Sequence, residues 1–134
     1  MKKNKRLFAV TLVLVASMAL SNSAFAASTS TSGSIGGVSV SGNLTMATNS
    51  SSLGYATAST WINASPGYLD ASVVYKYKWG YRSDIYTVSN STSQSATSVS
   101  TTATSNHVNP VHYSANATHR VSWSSYVWNG YTSL

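Results

Sequence analysis

The sequence predicts an all-β protein, a small single-domain antiparallel β-sandwich of about seven strands. Three observations lead there. Residues 71–79 and 111–123 alternate apolar and polar side chains with a period of two, the signature of strands with one buried face. Read as helices, those same residues would scatter their apolar groups around every side. Short runs separated by turn residues then recur through roughly 100 residues, as sandwiches require. A small barrel is the second choice.

Residues 1–26 read as a secretory signal peptide. Lys2, Lys3, Lys5 and Arg6 form a basic head of bacterial type, residues 7–20 an apolar run, and Ala24-Phe25-Ala26 a small-residue exit. A bilayer-spanning helix needs about 20 apolar residues, whereas a secretory apolar core needs only about 7–15. Cleavage is expected after Ala26, giving a secreted, extracellular product with no stable membrane anchor. No Cys follows the apolar run to take a lipid, and the absence of Cys also excludes a disulfide scaffold.

Removal of the signal changes the composition. The mature remainder keeps four bases (Lys76, Lys78, Arg82, Arg120) and two acids (Asp70, Asp84), so its net charge is 4 − 2 = +2 rather than +6. A nucleic-acid partner, which needs a clustered basic surface, is not expected. Both Phe residues fall in the signal, while the four Trp and nine Tyr all remain.

Residues 27–34 are small, polar and aperiodic, a flexible lead-in to a domain spanning 35–134. Val38, Val40, Leu44 and Met46 then share one face of a strand. Residues 53–63 form a second strand, stopped by Ser65-Pro66-Gly67. Ala71, Val73, Tyr75, Tyr77 and Trp79 fill one parity of the next, with Ser72, Lys76 and Lys78 opposite. Lysines on a strand's outward face discourage edge-to-edge pairing. Gly80-Tyr81-Arg82-Ser83 forms a hairpin connection into 85–88. Residues 89–95 read as a polar loop and 94–104 as a weakly amphipathic strand whose register little fixes. After Asn109-Pro110, the long strand turns Val111, Tyr113, Ala115, Ala117, Val121 and Trp123 inward, interrupted by His119. Either Ser124-Ser125 or Asn129-Gly130 turns the last segment, with Asn-Gly the stronger hairpin signal.

Candidate chemistry is sparse. Two cooperating carboxylates serve most acid–base and glycosidase mechanisms, but Asp70 and Asp84 flank a whole strand and read as local turn residues. No catalytic residue, cofactor or metal is expected, and the chain does not read as an enzyme. His112 and His119 differ by an odd number, so a continuous strand points them to opposite faces; His119 reads instead as a core histidine with a hydrogen-bond partner. Five Asn-x-Ser/Thr sequons, at Asn43, Asn49, Asn63, Asn90 and Asn116, reflect a chain rich in Ser and Thr.

Aromatics carry the functional promise, because Trp and Tyr offer contact area together with a polar tip. Those on apolar faces belong to the core. Tyr81 in a turn, and Trp128 and Tyr131 beside Asn129-Gly130, are candidates for surface contact, joined by Arg82, Lys76 and Lys78. The leading expectation is a secreted, non-catalytic interaction module that binds a glycan, cell-wall polymer or surface protein through exposed aromatics. A bacteriocin-like antagonist or small pore-forming toxin is the second class, since the Ser/Thr-rich stretch 89–104 suits an inserting hairpin. Against it, no outward parity carries the continuous apolar band of a membrane barrel. An extracellular fibre or matrix subunit, self-associating through strand edges, is the third.

Overall fold

The computed structural model describes residues 26–134. Residues 1–25, and with them nearly all of the expected signal peptide, lie outside the described residues. Eight strands follow in order: β1 Ala26–Ile35, β2 Val38–Thr48, β3 Leu53–Ile62, β4 Gly67–Lys78, β5 Ile85–Ala96, β6 Ser98–Val108, β7 Val111–Trp123 and β8 Tyr126–Ser133. They form two antiparallel sheets of four strands, sheet I in the order β1-β2-β3-β6 and sheet II in the order β5-β4-β7-β8. The sheets stack as a sandwich with β1 over β8, β2 over β7, β3 over β4 and β6 over β5. The architecture is the expected sandwich and not a closed barrel.

The alternations read from sequence hold where one face is buried. Leu69, Ala71, Val73, Tyr75 and Tyr77 of β4 are inaccessible, as are Ala115, Ala117 and Val121 of β7. Across the interior they meet Val40, Leu44 and Met46 of β2, Ala56, Ala58 and Ile62 of β3, and Val99 and Ala103 of β6. Many of these side chains are small, and large rings fill the remaining space by lying over glycines. A Cβ on Gly42 of β2 would collide with the His119 ring, and one on Gly33 of β1 with the Trp128 indole. Gly36 and Gly37, both at positive φ (54° and 80°), turn β1 into β2, as a two-residue hairpin loop of the primed type demands.

Several expectations are corrected. Residues 27–34 are not a flexible lead-in: they belong to β1, paired residue for residue with β2. Their polar outer positions are serines that can face water, while Thr29, Thr31 and Gly33 close the interior opposite β8. Nor do residues 89–95 form a loop. β5 continues unbroken to Ala96 along β4, because backbone pairing satisfies the ladder whatever the polarity of the side chains. The last turn is Ser124-Ser125 and not Asn129-Gly130, which lies within β8; there Gly130 makes room for the Trp128 ring instead of adopting a positive φ. Lys76 and Lys78 guard no edge, since β4 lies between β5 and β7.

One irregularity reaches the surface chemistry. Lys76 pairs with Ser114 but Tyr77 pairs with His112, so Tyr113 is an extra residue on β7. A bulge of this kind reverses the faces beyond it. Val111 and Tyr113, expected inward, are 62% and 54% exposed. His112 turns inward instead, and therefore shares the interior side with His119 rather than opposing it.

Candidate functional site

The β4–β5 connection, residues 79–84, protrudes from one end of sheet II. Gly80 lies at φ 68°, a conformation that glycine adopts freely, and Tyr81, Arg82, Ser83 and Asp84 are all exposed. Tyr81 is fully accessible. Beneath this loop, Ile85, Lys78 and Val111 form a row across β5, β4 and β7, and Thr87, Lys76 and Ser114 form the next. The bulged Tyr113 lies beside them, with Lys78 Nζ 5.3 Å above its ring centroid, a cation–π separation. Three of the four bases in residues 26–134 collect here against one carboxylate, Asp84. The fourth, Arg120, pairs with Asp70 at 4.0 Å on neighbouring strands, the one ion pair among the described residues.

An aromatic wall supports this end. The Trp79 and His107 rings stack at 4.2 Å, Tyr86 meets His107 at 4.8 Å, and Tyr77 stacks on Tyr86 at 5.5 Å and on Tyr75 at 5.4 Å. Hydrogen bonds fix the rings. The Asn106 N–H donates to the Tyr77 hydroxyl oxygen (3.1 Å), which lies 3.0 Å from His107 Nδ1. The Tyr75 hydroxyl pairs with His112 Nδ1 at 2.8 Å, and His112 Nε2 with the Thr48 hydroxyl at 3.0 Å. Burial raises the Tyr75 phenol well above its ordinary range, helped by Tyr77, and lowers the His112 pKa. Both are therefore neutral at pH 7, and the hydrogen-bonded rings form a fixed platform under a cationic rim.

Of the residues expected at a surface site, Tyr81, Arg82, Lys76 and Lys78 come together here. Tyr131 does not. It lies on the outer face of β8, 74% exposed, in a row with Thr118 and Ser72. That row is six β4 residues from Lys78, roughly 20 Å along the strand direction. Trp128, expected at a surface turn, points into the sandwich and packs half-buried on the core at its β1–β8 side, because its position in β8 is one of those facing β1. Trp79, Ile85, Val108, Val111 and Tyr113 are exposed members of this end that sequence reading assigned to the core or passed over. For Trp79, position as the last member of an apolar parity next to Gly80 was a usable signal. For Tyr113 and Val111 there was none, since the bulge hides them.

The other end of the sandwich also exposes Trp61, Tyr68 and Tyr126, but the one base near them, Arg120 in the row next to Tyr68, is paired with Asp70. His119 belongs to neither surface: its Nδ1 lies 3.0 Å from the Thr60 hydroxyl and its Nε2 2.9 Å from that of Thr132. Comparison with protein-family models, with curated proteins and with solved structures finds no match for this chain.

Proposed function

We propose that the protein is a secreted, non-catalytic interaction module, and that the β4–β5 end of sheet II binds an anionic glycan or wall polymer. What supports the reading is one coincidence: exposed Tyr81, Trp79 and Tyr113 share an end with Lys76, Lys78 and Arg82. Flat rings offer contact area to sugar faces at little side-chain entropy cost, and the bases attract carboxylate or phosphate groups along the polymer. Lys78 over Tyr113 joins the two chemistries in a single contact. The fixed histidine–tyrosine wall keeps the platform organised before the ligand arrives, which lowers the cost of binding.

Co-sedimentation and calorimetry of the chain from Ala27 onward test this, using a carboxylated polysaccharide, a phosphate-bearing wall polymer and a neutral glycan as the three arms. Binding to either anionic arm and not to the neutral one is expected, weakening as salt screens the bases. Tyr81→Ala should reduce affinity about thirtyfold, the effect of losing roughly 2 kcal/mol at a central aromatic, with no change in melting temperature. Equal binding to all three arms, or no binding with release of dye from liposomes, would replace this reading with one of a neutral-glycan binder or a membrane-active antagonist.

A further inference from the structure

The four edge strands of the sandwich are β1, β6, β5 and β8, and none contains Lys, Arg, Asp, Glu or Pro. Every charged side chain among the described residues sits on the interior strands β4 and β7 or in the β4–β5 connection. Sheet proteins ordinarily blunt their edges with those same residue types, since an open edge is a template for another strand. Here that protection is missing along strands of 8 to 12 residues.

The two sides differ. On the β5–β6 side, the Asn90 side chain donates from Nδ2 to the Thr102 carbonyl at 3.0 Å, so part of the β6 edge is occupied from within. On the other side, β8 pairs with β7 alone. Ala115 and Leu134 exchange backbone hydrogen bonds at 2.9 and 2.8 Å, which fixes the phase of the ladder. In an antiparallel pair, alternate residues point both backbone groups at the partner and the others point both away. Val127, Asn129, Tyr131 and Ser133 are therefore the residues whose N–H and C=O face outward from the sheet edge. The same four are exposed, with Val127 and Tyr131 at 52% and 74%. Open valences and uncovered apolar area coincide on one short strand.

We propose that β8 is a self-association edge: a second copy of this chain pairs its own β8 antiparallel to it about a two-fold axis at Asn129. Asn129 then faces the second copy's Asn129, and Val127 faces the second copy's Tyr131, with the converse pair on the other side of the axis. Each of these positions brings open backbone groups to open backbone groups. The register also places an aromatic against a β-branched side chain twice, a favourable cross-strand pair. A shift that set Asn129 against Tyr131 would keep the hydrogen bonds but lose those pairs. The result is an isologous, closed dimer in which two copies of sheet II become one continuous sheet. Arg120, next to Asn129 on β7, brings no unbalanced charge to the seam because Asp70 pairs with it.

The absence of cysteine from the chain allows a direct test. Asn129→Cys places a single thiol on the axis, opposite itself in a hydrogen-bonded pair with Cα atoms about 5.5 Å apart, within disulfide reach. Mild oxidation of this variant should give a disulfide dimer quickly, whereas Ser93→Cys on the β5 edge should not. In sedimentation of the chain from Ala27 onward, wild type should show a concentration-dependent dimer. Asn129→Lys should be a folded monomer and Ser93→Lys should dimerise as wild type does. An equimolar mixture of Asn129→Lys with Asn129→Asp should recover the dimer. A wild-type monomer at every concentration up to about 1 mM, the range of a very weak affinity, would overturn the proposal. So would a dimer abolished by Ser93→Lys but kept by Asn129→Lys, or open-ended polymers in place of a dimer.

Discussion

Between Gly42 and two threonines, His119 is held neutral, and the fold's stability is tied to its staying so. The Thr60 hydroxyl donates to the Asp70 carbonyl at 2.8 Å, so toward His119 Thr60 acts as acceptor; Nδ1 carries the ring proton, and Nε2 accepts from Thr132. Burial lowers the His119 pKa, only partly offset by a backbone hydrogen bond at Ser59. A group with a lowered folded pKa leaves the unfolded chain binding more protons, so stability is full above the ordinary value of 6.5 and is lost as pH falls below it toward the folded value. Melting temperature should therefore drop between about pH 7 and pH 5. His119→Gln should shrink that dependence, leaving the part due to His112, whose pKa burial also lowers; an unchanged slope would assign it elsewhere. Gly42→Ala forces a methyl into the His119 ring and should cost about 1–3 kcal/mol in denaturant unfolding, as overpacking does. Thr118→Ala, on the exposed face of the same strand, should stay within about 0.5 kcal/mol. Trp128→Ala should lower the melting temperature, by a loss of about 3 kcal/mol, because its indole fills the space over Gly33 and Gly130. A Trp128→Ala protein that melts like wild type would place that ring outside the core.

Strand β1 is the element whose role is easiest to underestimate. It closes sheet I over β8, and Ile35 and the floor under Trp128 belong to it. Deleting residues 27–34 should therefore cut stability sharply and raise the fluorescence accessibility of Trp128; retention of wild-type melting would make the segment dispensable. Its alternation of Ser with Thr and Gly carries no hydropathy contrast, so nothing in the sequence marks it as a strand. Beyond Val88, β5 is invisible for the same reason: its inward positions there are Asn90, Thr92, Gln94 and Ala96, alternating with serines, and only pairing with β4 makes that stretch a strand. By contrast, β4 and the second half of β7 were legible because each buries one complete parity against the other sheet. The bulge at Tyr113 depends on how two strands meet, a relation that no single segment encodes. Half of the candidate site was legible in turn residues 81 and 82 and their neighbouring lysines. The other half, Tyr113 and Val111, depended on that bulge.

At the scale of the whole molecule, charge and aromatic area are distributed unevenly. Arg120 and Asp70 neutralise each other on the outer face of sheet II, and three bases remain at the β4–β5 end around Tyr81 and Trp79. Long Ser- and Thr-rich outer faces provide the rest of the surface without charge. The proposed binding end and the proposed dimer edge lie on different parts of sheet II, so a dimer would carry two binding ends, and linking two sites raises avidity without new contacts. Arg82→Ala should accordingly weaken polymer binding and flatten its salt dependence while leaving the sedimentation of the dimer unchanged. The β4–β5 end is the proposed contact surface. The four tryptophans report on it separately, since Trp79 lies at that end, Trp61 at the other, and Trp123 and Trp128 against the core. In a nuclear magnetic resonance titration of the chain from Ala27 onward with an anionic wall polymer, the Trp79 indole N–H and the backbone amides of residues 80–85 and Tyr113 should shift together, with Trp61, Trp123 and Trp128 unmoved. Shifts centred on Trp61 and Tyr68, with Trp79 unchanged, would contradict the account.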